Sequence, residues 1–390
     1  MKWFKKNEEI DYFETISKIE EESEPYIEEP DKAPQKIENI HDPSFFGKIQ
    51  YLIDDINITD INCNSRSVWI NHISKGRYQC HDITLSNEDI EKLAYKISNV
   101  ENKQFNVVSP ILEADFNDLR LQFTHQSFST SGTSMSIRKT PCIARMSEEK
   151  MTNQEYCPKE VIQLFKNSVQ SHMNFFIIGM TGDGKTELAK FLTSYIPNHE
   201  RIITIEDTIE LHLNQLYPSK DIVELKVNER VDYNMAIKSC MRMLPKWILL
   251  SEARGYEVKE LIKSVSTGAK IITTLHTDHV LNIPKRILNM LEGNELANDK
   301  IENIIYQSVD IGIRVKADIT DTKTFRYISQ IAVFWLDVNN RRHHKMIYEV
   351  VKRHNQFFVS YHPLPKWMKD QYAEYNCHFL WKGDERLAQN

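Results

Sequence analysis

Apolar positions along this chain fall into two textures. Between about 46 and 140 they alternate with polar ones. Leu119–Phe128 and Ser134–Lys139 follow the period of two that half-buried strands show, and Ile56–Asn62 and Ser67–Ile70 read as short strands. Residues 87–98 carry helical spacing, started by Ser86-Asn87-Glu88. This stretch predicts an α+β domain over 46–140. From 159 the pattern changes to four short apolar strands near 175–178, 202–205, 247–250 and 271–275, separated by helical segments. Strands spaced by helices predict an α/β domain over 159–350, its parallel sheet covered on both faces. A shorter antiparallel stretch is expected at about 310–350. Residues 141–158, bounded by Pro141 and Pro158, read as a linker.

The two ends differ from this body. Residues 1–40 carry twelve acidic against six basic side chains, which accounts for the whole net charge of −6. With prolines at 25, 30 and 34, residues 1–45 read as an extended, flexible leader. Residues 351–390 are rich in aromatics, among them Phe357, Phe358, Trp367, Tyr372 and Trp381. This extension is too apolar to float free and is expected to pack on the body or on a partner.

Composition narrows the class. The chain has 390 residues, 41% hydrophobic and 27% charged, enough for two or three domains with real cores. Its apolar runs are about strand length, far short of the roughly 20 residues of a membrane-spanning helix. No signal-peptide pattern opens the chain. The cysteines at 63, 80, 142, 157, 240 and 377 form no C-x-x-C pair, so neither a zinc cage nor a disulfide framework is expected, and a cytoplasmic setting fits. The body is charge-balanced, and direct duplex-DNA binding is not expected. Nucleic acid as a distant cargo stays open.

The strongest chemical signal is Gly179-Met180-Thr181-Gly182-Asp183-Gly184-Lys185-Thr186, a complete G-x-x-x-x-G-K-[ST]. Its glycines let backbone N–H groups curl around phosphates, and the following helix, which continues through Glu187–Leu192, adds its positive end. Lys185 reaches the outer phosphates and the Thr186 hydroxyl serves Mg²⁺. ATP is the implied ligand, with residues 179–187 as its cradle. Asp183 is odd there, because an acid repels an anion, and it is expected to point outward.

Two further strand ends carry acids. Ile202–Ile205 runs into Glu206-Asp207-Thr208-Ile209-Glu210, and Trp247–Leu250 into Ser251-Glu252-Ala253-Arg254. The strand Ile271–Leu275 ends at His276. In open α/β sheets the ligand lies at the carboxyl ends of strands, so these groups are expected to converge on the phosphates.

Together these segments resemble the secretion traffic ATPases, the type II and type IV secretion, pilus and archaellum motors with RecA-like domains. The four boxes of that family stand here in order: GMTGDGKT (179–186), RIITIEDTIEL (201–211), WILLSEARG (247–255) and STGAKIITTLHTDH (266–279). The resemblance covers at least 179–286. More loosely, ITDINCN, SVWI, 112–120 and SGTSMSIRK are similar to the family's amino-terminal domain. It implies Glu252 as catalytic base, Glu206 and Glu210 as metal- or water-holding acids, and His276 as γ-phosphate reporter. Arg120 and Arg138 would reach the phosphates when two domains close, while Arg242 and Arg254 would serve the site or a subunit interface.

The family usually has Gly-Glu where this chain has Ser251-Glu252. Its tetracysteine element is missing, which points to the branch serving type IV secretion, conjugation and tight-adherence pili. A homo-oligomer, a hexamer in this family, is implied at an inner-membrane secretion or pilus platform, beside a coupling ATPase. An ATP-gated scaffold or switch with little turnover is the alternative. A small-molecule kinase would need an arginine-rich lid, and a helicase a basic stripe with stacking aromatics; the sequence presents neither.

Overall fold

The computed structural model describes residues 45–291, 298–319, 324–354 and 356–385. Apart from its last residue, the leader expected over 1–45 lies outside them. Two sheets are built. In the first, β1 (Ile58–Cys63), β2 (Val68–His72), β3 (Gly76–Cys80), β4 (Ile111–Phe116), β5 (Leu119–Thr124) and β6 (Ser134–Lys139) lie in the order β3-β2-β1-β6-β5-β4. All its neighbours pair antiparallel. The helix Asn87–Val100 begins with a capping box, in which Ser86 and Asp89 each accept the other's backbone N–H. It lays Ile90, Leu93, Ala94 and Ile97 into a core shared with Leu119, Leu121, Phe123, Met135 and Ile137. Period-two alternation then sends Arg120 and Arg138 to the opposite face.

The second sheet holds β7 (Phe175–Ile178), β8 (Ile202–Glu206), β9 (Ile222–Lys226), β10 (Trp247–Leu250), β11 (Lys270–Leu275), β12 (Ile311–Ile319), β13 (Thr324–Leu336), β14 (Arg342–Arg353) and β15 (Gln356–Tyr361). Their order is β15-β14-β13-β12-β7-β11-β10-β8-β9. Pairing is parallel from β12 through β7 to β9 and antiparallel from β12 to β15. The four strands expected in this domain are present within a residue of their expected ends. Along β7, Phe175 and Ile177 enter one core while Phe176 and Ile178 enter another, so both faces are covered. Asn174 ties three strands at their amino ends: its N–H and side-chain amide donate to Asp310, and its Oδ1 accepts from Ile271.

The sequence did not single out β3 or β9. β3 is polar, Gly-Arg-Tyr-Gln-Cys, and exists as the hairpin partner of β2. The antiparallel stretch beyond 310 does form, and its first strand also joins β7 in parallel, extending the same sheet. Past β15, Leu364, Met368, Tyr372 and Trp381 pack into the core below β7 and β10. The Trp381 indole donates to His362 O at 2.8 Å, and the Tyr372 hydroxyl bonds Ser168 at 2.6 Å.

Candidate active site

β7 lies between β11 and β12, so the chain leaving it emerges at the carboxyl edge where strand order turns. The loop 179–184 follows, and a helix opens at Lys185. Gly182 and Gly184 take φ of 87° and 102°, left-handed values that L side chains resist. At Gly179 the need is space, since a Cβ there would stand 2.6 Å from Val315 O on β12. The Lys185 ammonium donates to Gly179 O at 3.0 Å and Met180 O at 3.1 Å, leaving a third donor for a phosphate oxygen. Burial lowers its pKa, against the charges of Glu252, Asp183 and Glu210.

Asp183 does not point outward. Its carboxylate is buried, taking the Met180 N–H on Oδ2 at 2.6 Å and the Ala317 N–H on Oδ1 at 3.2 Å. Two backbone donors satisfy the charge, so the acid braces the loop from within. Glu187 is also engaged, accepting from Lys190 at 3.2 Å and from the Arg145 N–H at 3.4 Å. Met180 is exposed.

Register brings the other groups to the same edge. Leu250 stands opposite Ile205 on one side and Thr273 on the other. The next residues are fixed by Ser251 N–H to Ile205 O, Ala253 N–H to Thr274 O and Thr274 Oγ1 to Ser251 O. Glu252 is thereby placed between two partners: Oε1 lies 3.0 Å from His276 Nε2, and Oε2 accepts from Arg254 at 2.9 Å. Arg254 also pairs with Asp207 at 3.0 Å. Burial, and then the Lys185 charge, lower the pKa of His276.

Glu210 and Glu206 differ in their surroundings. The Thr186 hydroxyl lies 3.5 Å from Glu210 Oε2. Glu206, expected beside it as a metal- or water-holding acid, is fully buried, and its Oε2 accepts the N–H groups of Glu210 at 2.9 Å and Leu211 at 3.1 Å. It is a brace under the loop that presents Glu210. Burial pushes its pKa up to about 7, and among the described residues its Oε1 has no hydrogen-bond partner.

The first sheet contributes one charged rung. Asp115, Arg120, Arg138 and Asp60 are successive partners across β4, β5, β6 and β1. Arg138 bonds Asp60 at 2.9 Å, and Asp115 pairs with Lys226 of β9 at 2.6 Å, tying this rung to the second sheet. Burial raises the pKa of Glu210, and the charges of Arg138 and Arg120 oppose that rise. Both arginines thus act on the carboxylate that faces Thr186.

Residues 111–375 match the family model described as "Type II/IV secretion system protein". The chain belongs to that family. It is an ATPase of the RecA-like fold, with a smaller α+β domain ahead of the nucleotide-binding one. An uncharacterized protein of Bacillus anthracis is 28% identical over 340 residues, 84% of this chain and 76% of that one. The type IV secretion system protein VirB11 of Brucella suis is 32% identical over 197 residues, 47% of this chain and 52% of VirB11, so this match spans about half of that relative. The solved ATPase DotB of Legionella pneumophila superposes with a TM-score of 0.57 at 18% identity, covering 75% of this chain and 81% of DotB. The pilus retraction motor PilT bound to ADP gives 0.53 at 18%, covering 76% and 84%. These two likenesses speak to the fold.

In this secretion-family ATPase some site neighbours carried no sequence signal. Tyr233, whose hydroxyl lies near Ser251, and Arg326, which donates to Gly182 O at 3.2 Å, come from a helix and a strand remote in sequence. Arg326 stands on an antiparallel strand more than a hundred residues past the loop. No local pattern marks it, and only the pairing of β12 with β7 brings it near. Among the described residues, no helix is long and apolar enough to cross a membrane.

Proposed function

We propose that this chain hydrolyses ATP as a ring-forming motor and couples that hydrolysis to substrate transfer or pilus assembly by a type IV secretion machine. The observation that carries it is Glu252, held by His276 and Arg254 at the end of β10 while its charge acts on Lys185. A carboxylate so fixed can take the proton of an attacking water, as Lys185 and the loop amides neutralise the phosphates. Thr186 and Glu210 offer two hard oxygens for Mg²⁺, which is bound through one or two carboxylates plus substrate phosphates and keeps several waters. When bound, the ion would neutralise charge on the phosphates.

In this reading residues 46–140 form the moving amino-terminal domain, 141–158 the linker, 159–350 the ATPase domain, and 351–390 an extension of it. Arg120 and Arg138 follow the first sheet toward the phosphates. The chain acts as a homo-oligomer, a hexamer, on the cytoplasmic face of the membrane, bound through partners of a secretion or pilus platform. The type IV secretion relative VirB11 supports the machine, and the Lys226–Asp115 pair supports contact between the two sheets.

The test is steady-state ATP hydrolysis against protein concentration, with magnesium, for the native chain and Glu252→Gln. A rate per subunit that climbs with concentration and falls by about 10² or more in the variant is expected. A flat, very low rate indifferent to Glu252 would instead make the chain a nucleotide-gated scaffold.

A further inference from the structure

One rung of the β12–β13 hairpin touches both the phosphate loop and the first sheet. Ala317 and Arg326 are direct partners across that hairpin. The Ala317 N–H donates to Asp183 at 3.2 Å, inside the loop. From the other strand, Arg326 Nε donates to Gly182 O at 3.2 Å and Nη1 to Ile73 O at 3.2 Å. Ile73 lies in the turn between β2 and β3, whose next residue, Ser74, accepts the Thr324 N–H at 3.0 Å. The loop is therefore held to both strands of the hairpin, and the hairpin to the β2–β3 turn.

The chemistry suits a link. A guanidinium is a rigid planar fork, so its Nε and Nη1 fix the two carbonyls relative to each other. A lysine ammonium is a single point on a flexible stem and does not fix that spacing. Asp183 contributes through having two acceptor oxygens, one for the loop and one for β12; an asparagine would present an N–H to one of these donors. A shift of the loop on taking up phosphates would carry Gly182 and Asp183, and with them the rung.

We propose that the Ala317–Arg326 rung couples occupancy of the phosphate loop to the β2–β3 turn of the amino-terminal sheet, with Arg326 as the positioning residue. The link rests on the ATPase reading above and adds its route to the first sheet. Arg326 contacts backbone carbonyls and is assigned no contact with the reacting atoms.

Hydrogen exchange of the full chain tests it, with and without saturating ADP or a non-hydrolysable ATP analogue. The peptides to follow cover 70–78 and 185–194, in the native chain, Arg326→Ala and Arg326→Lys. In the native chain nucleotide should change exchange at 70–78 by about tenfold, the scale of one charged hydrogen bond. That change should vanish in Arg326→Ala and shrink in Arg326→Lys, while 185–194 still responds. Should Arg326→Ala fail to fold, Arg326→Lys is read in its place. An undiminished response at 70–78 in the arginine variants, or none in the native chain when 185–194 responds, overturns the link and leaves the ATPase reading standing. A native chain that takes up no nucleotide removes both.

Discussion

Glu252 and His276 meet across the ends of two neighbouring parallel strands, Oε1 to Nε2 at 3.0 Å. With Arg254 on the other oxygen, the carboxylate has little freedom to turn. The histidine is largely neutral at pH 7, because burial and the nearby Lys185 keep its pKa below the ordinary 6.5. As a neutral ring it stands against Glu252 without cancelling its charge.

Replacing His276 should therefore lower kcat more than it raises KM. We expect His276→Gln to lose about tenfold in kcat. In the native chain turnover should fall as pH drops below 6.5, where an imidazolium would pair with Glu252 and weaken it as a base. A pH–rate profile of the variant should lack that step; an identical acid limb would assign the step to another group.

Glu206 predicts an unusual pH dependence of stability. Its folded pKa of about 7 lies above the ordinary 4.5, so between these values the folded state holds a proton that the unfolded chain has lost. Stability from this group is full below 4.5 and falls as pH rises toward 7, by about 3 kcal/mol in all. Urea denaturation of Glu206→Gln across this range should show a flatter curve. A loss of the same size in both proteins would exclude Glu206 as its source.

Glu210 is expected to govern magnesium. The Glu210→Gln chain should need about ten times more Mg²⁺ for half-maximal turnover. Removing Arg138 takes away a charge that holds the Glu210 pKa down, so Arg138→Ala should shift the pH onset of Mg²⁺ activation upward. Magnesium titrations at three pH values measure both effects, and an unmoved onset would separate Arg138 from Glu210.

Trp381 tests whether the carboxyl-terminal segment belongs to the ATPase core. Its side chain is buried, and its indole N–H bonds His362 O. Trp381→Ala should lower stability by about 3–5 kcal/mol. Guanidinium unfolding followed at two wavelengths measures it; a change under 1 kcal/mol would mean the segment only leans on the body.

The sequence by itself determined the elements and the chemistry held in short segments. Apolar-rich runs marked β7, β8, β10 and β11, because strands buried on both faces select apolar and β-branched side chains. The phosphate loop was legible because its glycines, lysine and threonine stand at fixed spacing on one turn. Glu252 and His276 were legible because each stands within two residues of the end of such a strand. Tertiary structure decided the rest. β3 and β9 are edge strands made by their partners, with too little burial to stamp a pattern. Asp183 turned inward because β12, more than a hundred residues away, brings the Ala317 N–H to it. Glu206 became a brace because its loop folds back over it, and Arg326 reached the loop because β12 pairs with β7. Spacing along a chain encodes what one turn or strand can hold; which distant backbone donor meets a charge is settled only when strands choose neighbours.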